Sequence, residues 1–140
     1  MIYRLALAAG IAALSGCAAL HSTNECEANF SSEGSIVTGK KFSTTSMLPS
    51  ISPNLAFQRL SAVMLEEGFH IESSDPHRGL ISAYQDVNYS SKRAPLNAIV
   101  EAASSGTKVT LVFVVAAGIY APDIGARGEF CKIINAVNAN

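Results

Sequence analysis

Apolar and polar positions follow two different periods along the chain, and one apolar stretch has no period at all. Residues 5–14 are apolar throughout, with Arg4 ahead of them and Ser15 and Gly16 behind. That run falls well short of the roughly 20 apolar residues that cross a bilayer. A basic residue, a short apolar core and small residues after it read instead as a secretory signal. Residues 18–34, AALHSTNECEANFSSEG, are small and polar with no clear period, and they read as a tether. Residues 35–45, SIVTGKKFSTT, carry β-branched and aromatic side chains and read as a first strand, with a break at Gly39.

A helical period takes over after residue 50. Ser52 stands at an N-cap position, Pro53 at the first helical position and Gly68 just past the end. Ala56, Leu60, Val63 and Met64 recur at helical spacing with Phe57 beside them, while Gln58, Arg59, Glu66 and Glu67 fall on the wet side. The period then drops to two. Phe69 and Ile71 alternate with His70 and Glu72, DPHRG turns on Pro76 and Gly79, and residues 80–87 return as the partner strand. NYSSKRAP, residues 88–95, is a polar loop. Residues 96–103 and 108–116 flank SSGT as a second hairpin with Gly106 in its turn. Residues 109–117 are apolar on both faces, which calls for a central strand. After GIYAPDIG, Phe130, Ile133, Ile134 and Val137 lie at i, i+3, i+4 and i+7 of a last helix over residues 126–137.

Strand, helix, two hairpins and helix, joined by short connections, predict one α+β domain over residues 35–140. The expected architecture is a mainly antiparallel sheet of about five strands with two helices packed on one face.

The tetrad Leu14, Ser15, Gly16, Cys17 resembles the lipobox of bacterial lipoproteins. The resemblance implies cleavage after residue 16, diacylglycerol on the Cys17 thiol and a further fatty acyl chain, such as palmitate, on the freed amine. One acyl chain holds a protein only marginally, whereas two or three make the attachment lasting. Ala18 and Ala19 follow the cysteine, with no Asp. By resemblance to Gram-negative lipoproteins this implies sorting to the outer membrane, facing the periplasm. The segment LEEGFHIESSD followed by PHRGLISAYQ also resembles small periplasmic lipoproteins, among them the domains of outer-membrane assembly accessory lipoproteins. That likeness is one of element order over residues 35–138 and assigns no functional residue.

Without residues 1–16, 124 residues remain, with nine basic side chains against eleven acidic and a net charge of −2. Such a chain has no basic surplus for nucleic acid or an anionic membrane surface. With Cys17 acylated, Cys26 and Cys131 are left in a compartment where disulfides persist, and an even remainder fits a bridge between the two ends of the chain. Two separate thiols are the alternative.

The candidate chemistry is sparse. His21 lies in the tether, His70 on a strand and His77 in a turn; the hairpin brings the last two toward each other with only Glu72 or Asp75 to join them, too few for a metal site. No serine sits in a Gly-x-Ser-x-Gly elbow, and Glu66 and Glu67 are adjacent on a helix and point apart. Neither catalysis nor a cofactor is expected, beyond the lipid on Cys17. The contact-prone residues are Tyr84, Tyr89, Lys92 and Arg93, with Ile119, Tyr120 and Ile124 before the last helix. They form a candidate partner-binding patch, unless Tyr84 packs in the sheet and Ile119 and Tyr120 cap the core. Two functions follow: a lipid-anchored interaction module or accessory subunit bound to another envelope protein, or a binding protein for a small apolar ligand held between sheet and helix.

Overall fold

The computed structural model describes residues 21–139. Leu14, Ser15, Gly16 and Cys17, with Ala18 and Ala19, lie outside them. Within that span the chain forms α1 (His21–Ala28), β1 (Ser31–Ser35), β2 (Gly39–Leu48), α2 (Pro53–Glu66), β3 (His70–Asp75), β4 (Leu80–Asp86), β5 (Arg93–Ala103), β6 (Gly106–Val115) and α3 (Asp123–Ala139). The strands make one sheet in the order β1-β2-β6-β5-β4-β3, antiparallel throughout. The class is α+β, as the patterning predicts, and the doubly apolar β6 lies inside the sheet between β2 and β5.

Alternation along the strands selects the covered face. Phe42, Thr44 and Leu48 of β2, Val109 and Leu111 of β6, Leu96 and Ala98 of β5, and Ile81 and Ala83 of β4 are buried there beneath the helices. From α2 come Ala56, Leu60, Val63 and Met64, and from α3 Phe130, Ile133, Ile134 and Val137. A fully buried Leu or Met contributes roughly 1.5–3 kcal/mol relative to exposure, so these two stripes supply much of the core's stability. The Ser52 side chain accepts from the Leu55 N–H at 3.3 Å, with Pro53 opening α2. At its other end Gly68, at φ +88°, lets the chain reverse into β3.

The structure differs from the sequence-based expectation near the beginning of the domain. Residues 21–34 are not a tether: α1 lies against β2 and α3, and β1 adds an edge strand. The fold therefore starts at or before residue 21, not at residue 35. Residues 35–45 are not one strand either. A turn at residues 36–38 separates β1 from β2, held by the Ser35 hydroxyl accepting from the N–H groups of Val37 and Thr38, and Gly39 enters β2 at φ +88°. Among the described residues there are thus six strands and three helices where about five and two were expected. The last helix begins at Asp123, three residues before its apolar stripe suggests.

The register gives the sheet two distinct ends. Lys40 pairs with Val115, Asp86 with Arg93 and His70 with Tyr84, so the 36–38 turn, the 87–92 loop, the 116–122 segment and the start of α3 share one end. The 76–79 and 104–105 turns lie at the other. α1 runs antiparallel to β2: Glu25 accepts from the Met47 N–H, Asn29 donates to the Thr45 carbonyl, and Phe30 stacks on Phe42. Its first turn therefore points toward the Gly106 end, away from Tyr89.

Candidate functional site

Three loops meet at the Tyr89 end, tied by hydrogen bonds. The Gly118 N–H donates to the Ile36 carbonyl at 2.7 Å, and Lys92 Nζ donates to the Ala117 carbonyl at 2.9 Å. Lys40 Nζ reaches both the Ala121 carbonyl and Asp123 Oδ1 at the start of α3. That pair, with the Ser32 hydroxyl, holds the Asp123 carboxyl below its ordinary range.

On this tied base stand apolar side chains that none of the described residues covers. Val37 is 80% exposed, Tyr120 79%, Ile124 82%, and Tyr89, at φ +62°, is fully exposed. Ile36 is also exposed beside them. Water-facing apolar groups occur singly on most proteins, but their concentration on one rigid end is the pattern of a contact surface.

The structure divides the sequence-predicted patch. Tyr89, Lys92 and Tyr120 belong to the exposed end. Ile119 turns inward to pack on the core. Tyr84 lies on the uncovered face of the sheet, half-buried between the His70 ring, stacked at 5.0 Å, and the Arg93 guanidinium, 4.1 Å from its ring centroid. Arg93 also faces Glu72 and Asp86, each at 3.8 Å. The expected approach of His70 and His77 does not occur: His70 pairs with Tyr84 at one end of the hairpin, and His77 sits in the turn at the other. Among the described residues no group of three or more His, Cys, Asp or Glu side chains is placed to hold a metal ion.

Cys26 and Cys131 do come together, their sulfurs 2.06 Å apart and both residues buried. The Thr44 hydroxyl donates to the Cys26 carbonyl at 2.6 Å, fixing the same turn of α1 to β2.

A second feature lies between the sheet and a helix, and the sequence does not mark its lining residues as such. Between the covered face of the sheet and the first half of α3 lies a cleft of about 180 Å³, walled by Phe69, Phe113, Pro122, Gly125, Ala126 and Phe130. Gln85 and Glu129 are its polar lining. Burial raises the Glu129 carboxyl above its ordinary range, and a hydrogen bond to Glu67 raises it further. Lys132 Nζ lies 2.6 Å from Glu67 Oε2, and holds that carboxyl below its ordinary range. The cleft draws on β3's approach, β4, β6 and α3, so no single stretch of sequence announces it.

No family model matches the chain, and no curated protein does either. Among solved structures the chain is similar to a conserved protein of unknown function from Enterococcus faecalis, with a TM-score of 0.54 and 8% identity over 84% of this chain and 79% of that one. At that identity the likeness is one of fold. A weaker likeness, with a TM-score of 0.41 and 12% identity, covers 71% of this chain and 95% of Ara h 8.0201.

Proposed function

We propose that the protein is a lipid-anchored, non-catalytic interaction module of the cell envelope that presents its Tyr89 end to another envelope protein. The concentration of Val37, Tyr89, Tyr120 and Ile124 on that end carries the proposal. The direction of α1 adds to it. Three residues separate Cys17 from His21, and α1 opens toward the Gly106 end. An anchor on Cys17 then holds the Gly106 end at the membrane. β2 is ten residues long, and at ~3.3 Å per residue it sets the Tyr89 end roughly 30 Å further out. Acyl chains supply the membrane contact, so the apolar end is left for protein.

The test is site-specific photo-crosslinking in cells. A photoreactive residue at Tyr120 is expected to trap one discrete protein, and the same residue at Glu101 near the other end is expected not to. Equal labelling from both positions, or lipid as the product at Tyr120, sinks the proposal.

A second reading, a binding protein for a small apolar ligand, is favoured by the cleft beneath α3. The two readings name different residues, but the cleft's Pro122 and Gly125 adjoin Tyr120 and Ile124 in the chain, so the two sites lie side by side.

A further inference from the structure

We propose that the cleft between α3 and the sheet takes a small molecule with an apolar body and a primary ammonium head, the head being received by Glu129. This rests on the second reading above, that the cleft holds a ligand, and adds the ligand's chemistry. Phe69, Phe113, Phe130, Pro122 and Ala126 form apolar walls, so the body of the ligand must be apolar. Its size is bounded too. About 180 Å³ is the room of about six water-sized groups at ~30 Å³ each, which suits a short alkyl chain.

The head follows from the charges at the rim. Glu67 and Glu129 are two carboxyl groups in hydrogen-bond contact, and among the described residues one cation, Lys132, interacts with both. Lys132 is spent on Glu67, at 2.6 Å. Glu129 is left against an apolar wall with a like group as its partner, which disfavours its charged form. An ammonium supplies the missing positive charge and three N–H donors, enough for Glu129 and the Gln85 side-chain carbonyl. A carboxylate head would meet the two acids already there, and an alcohol would supply no cation to favour the ionised form of Glu129.

The test uses n-hexylamine, n-hexanol and n-hexanoate, each titrated into isotope-labelled chain 17–140 and followed by backbone amide shifts. Hexylamine is expected to move the amides of Phe113, Gly125 and Ala126, and to bind roughly tenfold or more tightly than hexanol, the worth of one charge-assisted hydrogen bond. Hexanoate is expected to bind most weakly. Glu129→Gln should bring hexylamine down to the level of hexanol. Gly125→Leu, which places a side chain in the cleft at a helical position where a Cβ meets only Pro122 Cγ at 3.5 Å, should abolish both. Binding of hexanol or hexanoate as tight as hexylamine overturns the ammonium assignment and leaves the ligand site standing. Absence of cleft shifts with all three probes overturns both.

Discussion

Removing the link between Cys26 and Cys131 is expected to release α1 and cost a third or more of a domain's usual margin of about 5–15 kcal/mol. The two cysteines are 105 residues apart. In the chain-entropy treatment a closed loop of that length restricts the unfolded chain by about 4.7 kcal/mol. For a domain a little over 100 residues long, this corresponds to a fall in Tm of roughly 20 °C. The local effect should be larger still. α1 has eight residues, HSTNECEA, and no apolar stripe, whereas isolated helices shorter than ~12–15 residues are marginal in water. Beyond the sulfurs, it is held by the Thr44 hydroxyl on the Cys26 carbonyl and by the polar contacts of Glu25 and Asn29. The assay compares the oxidised chain with Cys26→Ala/Cys131→Ala by calorimetry and by hydrogen exchange. The variant should melt far lower, with α1 amides exchanging freely and those of β5 and β6 still protected. A Tm within ~3 °C of the parent, with α1 still protected, would refute the reasoning, because hydrogen bonds and packing alone would then hold the helix.

Two further perturbations probe the turn chemistry and the charged rim of the cleft. Gly79 sits at φ +68°, and a Cβ there would meet the Val100 carbonyl oxygen at 2.0 Å, whereas Gly68 at φ +88° has open space around it. Gly79→Ala should cost more than ~2 kcal/mol and Gly68→Ala about 1 kcal/mol in urea unfolding; equal costs would discount the close backbone approach at β5. Because the Glu129 carboxyl titrates above its ordinary range, the folded chain keeps a proton that the unfolded chain gives up above about pH 4.3. Stability from this group therefore falls as pH rises through that window. Glu67 and Asp123, both lowered, act oppositely and at lower pH, their stabilisation being lost as pH falls through their depressed values. Glu129→Gln should flatten the decline above about pH 4.3 in urea midpoints, and an unchanged slope would contradict the assignment.

The legible parts of this fold are those whose reasons are local. α2 declares itself by its cap, its proline and one apolar stripe, and the two later hairpins by a period of two broken at Gly79 and Gly106. α1 and most of β1 have the sequence of a tether because neither contains a local reason to fold. β1, SSEGS, has no β-branched residue, and pairs with β2 through Ser31 on Ser43 and Glu33 near Lys41. Their order comes from partners distant in sequence, Cys131 above all. The contact surface was partly visible. Tyr89 and Tyr120 stand out in polar loops, but Ile36 and Val37 look like strand until the turn between β1 and β2 exposes them. A ligand space between sheet and helix is suggested in outline by the doubly apolar residues 109–117, but its walls do not show in the sequence, because Phe69, Phe113 and Phe130 each look like ordinary core and their separation is a property of packing.

The anchor underlies the orientation of everything else, and intact mass of the protein extracted from membranes tests it most directly. The expected species is residues 17–140 carrying diacylglycerol and an amide-linked acyl chain, gaining two hydrogens on reduction as the bond between Cys26 and Cys131 opens. An unacylated chain starting at any other residue would contradict the anchor, and with it the outward presentation of the Tyr89 end.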